Sequence, residues 1–193
     1  MKKYLTIMML LVAMCCQAQN ATTVFNKTVA AYKAAGAISA SYTMGSSKGT
    51  IVMKGNQFRI LANNLKSWYD GKTQWTYSTA TDEVNITTPT SQQLVMVNPL
   101  SAASALQSGY NMAVKKSGSS FVLTLTPKKA GNVKSVTLYI SSAYQLTKAV
   151  YATKKGTETL SISNYKTNVA TNASTFKFNK SQVPAGTEVV DLR

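Results

Sequence analysis

The sequence predicts a mainly β fold of the α+β class: an incomplete antiparallel β-barrel of about eleven or twelve strands, covered by short helices. Two observations carry that expectation. Short runs of alternating polar and apolar residues recur at hairpin spacing along most of the chain. Only two stretches read as helices, one early and one mid-chain. The 193 residues suit one domain, and no linker, repeat or low-complexity tract divides them. An open sheet with one apolar face needs a cover, and the two helices can supply it as a lid.

The first helix is predicted in "NATTVFNKTVAAYKAAG". Phe25, Val29 and Tyr32 share a face, a threonine cap stands near Thr22, and Gly36 stops the helix. Strands then follow in "AISASYTM", "GTIVMK", "QFRILA", "QWTYST", "EVNITT" and "QLVMV". The segment "NPLSAASALQSG" breaks the pattern. It is rich in alanine, holds no β-branched residue, and places Pro99 at a first helical turn and Gly109 at the end. A second set of strands is expected in "YNMAVKK", "FVLTLTP", "VKSVTLYIS", "LTKAVYAT", "ETLSISNYK" and "STFKFN".

The first residues read as a secretory signal covering 1–18, with the domain proper at 19–193. Lys2 and Lys3 form the basic end, Leu5 to Met14 the apolar middle, and Cys16-Gln17-Ala18 a cleavage site, so the mature chain begins at Gln19. The apolar run is too short for a permanent membrane span. Acylation at Cys15 or Cys16 is the alternative, but Met14 and Cys15 are poor residues to precede an acylated cysteine. Both cysteines lie in the leader, so the exported domain holds no disulfide and its core carries the fold unaided.

"SWYDGKTQW" contains the tail of a phosphate-binding loop. Such a loop needs a glycine five residues before Gly71, and Lys66 stands there. Alternating residues follow where a helix should begin, so Asp70-Gly71 is read as a hairpin turn. The formal net charge of +15 admits nucleic acid, an anionic membrane or plain solubility. Lysine pairs before glycine turns, at Lys115, Lys128 and Lys154, fit guards against strand aggregation. Arg59 and Arg193 are the only arginines, which argues against nucleic-acid readout.

With no histidine, cysteine–histidine metal sites, Ser-His-Asp triads and histidine bases are excluded together. The six acidic residues show no calcium-loop spacing. Asp82 and Glu83 are adjacent and so point to opposite faces of a strand, while Glu188 and Asp191 read as solvated. A lysine base remains open, but no nucleophile elbow or nucleotide loop is present. The sequence therefore predicts no catalytic residue, no metal and no cofactor.

Alternate strand residues would line a cavity under the lid, or else a filled core. The candidates are Ile51, Met53, Phe58, Ile60, Trp75, Tyr77, Val84, Ile86, Leu94 and Met96, with Leu100 and Leu106 from the mid-chain helix. The methionines favour an adaptable apolar site.

The order "GTIVMKGNQFRI", "WYDGKTQWTYSTATDEVNIT", "FVLTLTPK", "NVKSVTLYIS" and "STFKFNKSQVPAGTEVVDLR" resembles the periplasmic carriers of outer-membrane lipoproteins, the LolA family, over nearly all of the exported chain. The resemblance implies a half-barrel whose apolar cavity holds the acyl chains of triacylated lipoproteins. It also implies an inner-membrane ABC-type release complex as loading partner, an outer-membrane acceptor, and a periplasmic monomer that binds no nucleic acid. Phe58 matches a family phenylalanine at the cavity mouth that bears on partner contact. The chain departs at Gly55, where the family carries an arginine that hydrogen-bonds the lid; Arg59 is near but in another register. The rival readings are a periplasmic lipid-binding or sensor module on the same scaffold and, more remotely, a secreted enzyme acting on glycans or lipids.

Overall fold

The computed structural model describes residues 20–97 and 103–193. The expected leader 1–18, the start at Gln19, and Pro99 and Leu100 lie outside the described residues. The chain enters through α1 (Ala21–Ala34) and continues into six consecutive antiparallel strands: β1 (Ala37–Met44), β2 (Ser47–Lys54), β3 (Gln57–Ala62), β4 (Leu65–Tyr69), β5 (Gln74–Ser78) and β6 (Glu83–Thr87). Two short helices follow, α2 (Ser91–Val97) and α3 (Ala103–Gly109). Five further strands form a second antiparallel run: β7 (Tyr110–Ser117), β8 (Ser120–Pro127), β9 (Val133–Ile140), β10 (Leu146–Thr153) and β11 (Gly156–Lys166). Two 3₁₀ turns, Ala173–Phe176 and Lys180–Gln182, lead to β12 (Glu188–Asp191).

All twelve strands belong to one sheet, in the order β12-β6-β5-β4-β3-β2-β1-β11-β10-β9-β8-β7. Pairing of β1 with β11 joins the two runs, and β12 pairs with β6 in parallel. The ends, β12 and β7, do not pair, so the sheet is an incomplete barrel, as expected. Lys115 and Lys116 stand on the edge strand β7, where charge discourages further strand pairing.

α1 is capped by Asn20, whose side chain accepts from Thr22 N–H at 2.9 Å, rather than by a threonine near Thr22. Gly36, at φ 64°, turns the chain out of the helix in a conformation that glycine adopts without strain. The helix buries Val24, Phe25, Val29 and Tyr32 in the main core, among Ile38, Leu123, Leu125, Leu138, Ile140, Ala149 and Tyr151.

Two expected strands are corrected. "QLVMV" lies in α2, because Thr90 and Gln93 form a reciprocal cap: Gln93 Oε1 accepts from Thr90 N–H at 2.7 Å, and Thr90 Oγ1 from Gln93 N–H at 3.3 Å. "STFKFN" begins in a 3₁₀ turn capped by Asn172 and holds no strand. Two strands take their place. β4 escapes the alternation test because Ser67, Trp68 and Tyr69 are all buried, so both of its faces are covered. β12 is four residues long, and its partner lies about a hundred residues earlier in the chain.

Candidate functional site

The register decides which side chains meet. Ile51 faces Ala40 on one side and Ile60 on the other, while Tyr42 pairs with Ile162 and Met44 with Leu160. These residues share the concave face of the sheet, because partners directly opposite in a ladder point the same way. β11 then departs from strict alternation. Ser41 pairs with Ser163 and Ser39 with Lys166, so β11 spends one extra residue there, with Asn164 at φ 51°. The bulge turns Tyr165 to the same side as Ile162, three positions earlier.

Together with Tyr32 of α1, Val97 of α2 and the turn residues Tyr144 to Leu146, these side chains enclose a cavity of about 200 Å³. Ala40, Met44, Met53, Leu65 and Leu160 complete most of its wall, and among the described residues no carboxylate lines it. The wall carries a few polar tips. Tyr32 donates from its hydroxyl to the Gly55 carbonyl at 2.7 Å, tying α1 to the β2–β3 turn. Burial, helped by nearby Tyr32, lifts the Tyr165 hydroxyl to about 12, so it stays a neutral donor across the physiological range. Such a site can bury hydrocarbon and orient one or two polar groups. Among the described residues that line it, none form a nucleophile–base pair.

Of the expected lining residues, Ile51, Met53 and Ile60 stand at the cavity. Phe58 shares their face but is only 1% exposed, its ring 5.3 Å from that of Tyr69. Trp75, Tyr77, Val84 and Ile86 face the other way. Arg59 pairs with Trp68, Trp68 with Trp75 and Trp75 with Ile86, which is the reverse register from Ile60. Tyr77 and Val84 pack with Trp68 beneath Phe178, Val183 and Val189 of the C-terminal segment. The concave positions of β5 and β6 are instead Thr76 and Asn85. Leu106 is buried in the α1 core, and Leu94 is half-buried away from the cavity wall. Leu100 and the side chain of Met96 lie outside the description. Reading alternation could have found Ala40, Tyr42 and Met44 in β1; Tyr165 depends on the bulge and could not be found that way.

The "DGKT" stretch is a hairpin turn. Asp70 Oδ1 accepts from the backbone N–H of Lys72 at 3.0 Å and of Thr73 at 2.9 Å. Those amides are therefore spent within the turn and form no phosphate cradle. Arg59 faces away from the cavity, beside Trp68. Among the described residues, no cluster of three acidic, histidine or cysteine side chains could hold a metal, and no helix is long and apolar enough to cross a membrane.

The fold has solved counterparts. An uncharacterized conserved protein from Thermus thermophilus superposes at a TM-score of 0.60, with 13% identity, over 90% of this chain and 99% of that one. A DUF1329 family protein from Desulfovibrio piger gives 0.49 at 12% identity, over 84% and 98%. The Pseudomonas aeruginosa MucA/MucB complex gives 0.49 at 15% identity, over 82% and 61%. At these identities the likeness to the Thermus protein concerns the fold alone, and the other two overlays are looser. No curated protein matches the chain. Residues 11–151 match the family described as outer membrane lipoprotein carrier protein LolA, and with most of its length inside that match the chain belongs to this family.

Proposed function

We propose that the protein is a periplasmic carrier that buries the acyl chains of lipoproteins and moves them from the inner to the outer membrane. The observation that carries this reading is the apolar cavity between α1 and the concave faces of β1–β3 and β11. Each buried methylene is worth about 0.8 kcal/mol, so one long chain costs on the order of 10 kcal/mol to hold in water. A lipoprotein with several chains therefore needs shelter to cross an aqueous compartment. Its Gly-Lys-Thr is a turn and not a phosphate loop, so this reading assigns the energy for transfer to the loading partner. Loading would fall to an inner-membrane ABC-type release complex and unloading to an outer-membrane acceptor. This reading takes 1–18 as an export leader cleaved after Ala18, leaving a soluble, lipid-free mature chain, and takes the monomer from the family resemblance.

The cavity volume favours a second reading beside the first. About 200 Å³ lies below the roughly 300–1,000 Å³ of a site for a drug-sized ligand. In this form it suits part of one chain, as a lipid-binding or sensor module would need, and three chains would require α1 or α2 to move. Native mass spectrometry of the protein taken from its own periplasm separates the readings. A copurified triacylated protein supports the carrier, a bare lipid supports the module, and a chain acylated at Cys15 or Cys16 refutes the soluble shuttle.

A further inference from the structure

One end of the cavity is built differently from the rest. Tyr144 and Gln145, in the turn between β9 and β10, line it there. Tyr144 has φ 58°, a left-handed conformation that a bulky residue rarely adopts and that is worth keeping where it places a side chain usefully. Its ring is stacked on Phe121 with centroids 5.5 Å apart, which holds the ring in one orientation. Lys27, on the exposed flank of α1, reaches the same spot. Its ammonium donates to the Tyr144 hydroxyl oxygen at 3.4 Å and lies 5.3 Å from the ring centroid.

Among the described residues this cation has no counter-ion: the one salt bridge joins Asp191 to Arg193, and no carboxylate lines the cavity. Because the Tyr144 oxygen is an acceptor toward Lys27, its own O–H remains available to donate outward. An ammonium and a phenol therefore stand side by side at Tyr144, a wall residue of a pocket shaped for hydrocarbon. We infer that the cavity takes a single-chain amphiphile with a carboxylate head, its chain among Ile51, Met53 and Ile60 and its head between Lys27 and Tyr144. This rests on the reading that the cavity holds acyl chains, and adds a ligand class other than a lipoprotein.

A fluorescent polyene fatty acid and its methyl ester, titrated against the full exported chain, test the inference. The two probes share a chain and differ in head charge. The acid is expected to bind roughly tenfold tighter than the ester, as a charge-assisted hydrogen bond warrants. Lys27→Gln should bring the acid to the affinity of the ester and leave the ester unchanged, while Lys27→Arg keeps the preference. Tyr144→Phe should narrow the gap in part. Equal binding of acid and ester by the unaltered protein overturns the inference and leaves the cavity reading standing. Equal weakening of both probes by Lys27→Gln also overturns it. Binding of neither probe overturns the inference and the acyl-chain reading together.

Discussion

The two halves of the sheet solve the same problem on opposite sides. In the half formed by β7–β10, the concave face is filled by α1, and the burial of β8 and β9 alternates along each strand. In the half formed by β2–β6, a cluster lies on the reverse face, where Trp68, Tyr77 and Val84 meet Phe178, Val183 and Val189, while Phe58 and Tyr69 pack on the front beside the cavity wall. That half is held from behind. Its front, at Ile51, Met53 and Ile60, is therefore free to be a cavity wall rather than a core. A void can persist in a small fold when the strands around it take their stability from elsewhere.

The largest effect should come from the filled half. Phe25→Ala removes a fully buried ring between α1 and the sheet and should cost about 3–5 kcal/mol, read as an early melt. A small loss there would mean that α1 is a loosely seated lid. Next comes the reverse-face cluster. Trp68→Ala should cost about 3 kcal/mol, against about 1 kcal/mol for Ile60→Ala, whose side chain already borders a void. Equal losses would erase the distinction between core and wall.

Alkaline titration sharpens the contrast. Burial raises the Tyr151 hydroxyl, in the filled half, to about 12, and among the described residues no partner bonds it. The unfolded chain gives up this proton near pH 10, the folded chain near 12. Stability from this group is thus complete below about pH 10 and is lost as pH rises toward 12. Tyr151→Phe should flatten part of that loss in a melting series across this range, since Tyr165 is raised to about 12 as well; an unchanged profile would show that Tyr151 does not contribute to it. The smallest effect should come from Tyr32→Phe, which removes the bond to Gly55. About 1 kcal/mol should be lost, with faster amide exchange in the β2–β3 turn and faster uptake of a fluorescent fatty acid. Unaltered exchange there would show that this bond does not hold the helix to the turn.

Much of this architecture is legible in the residues. The helix over Phe25, Val29 and Tyr32, the turn at Asp70-Gly71 and most of the strands rest on local spacing and local turn chemistry. Local rules fail where both faces of a strand are covered, as in β4, or where a reciprocal cap outweighs an apolar run, as at Thr90 and Gln93. The family resemblance is readable too, because motif order along the chain survives where no single motif is decisive.

The sequence by itself determined which residues alternate, where the chain turns, and that histidine chemistry is unavailable. Only the tertiary structure decided which alternate set faces inward. Period-two patterning is symmetric between the two faces of a sheet, and the choice is made by what lands on each face. Here α1 covers the front of one half, and the C-terminal segment covers the back of the other. Trp75, Tyr77, Val84 and Ile86 thus went to the back, while one extra residue at the bulge near Asn164 brought Tyr165 to the cavity.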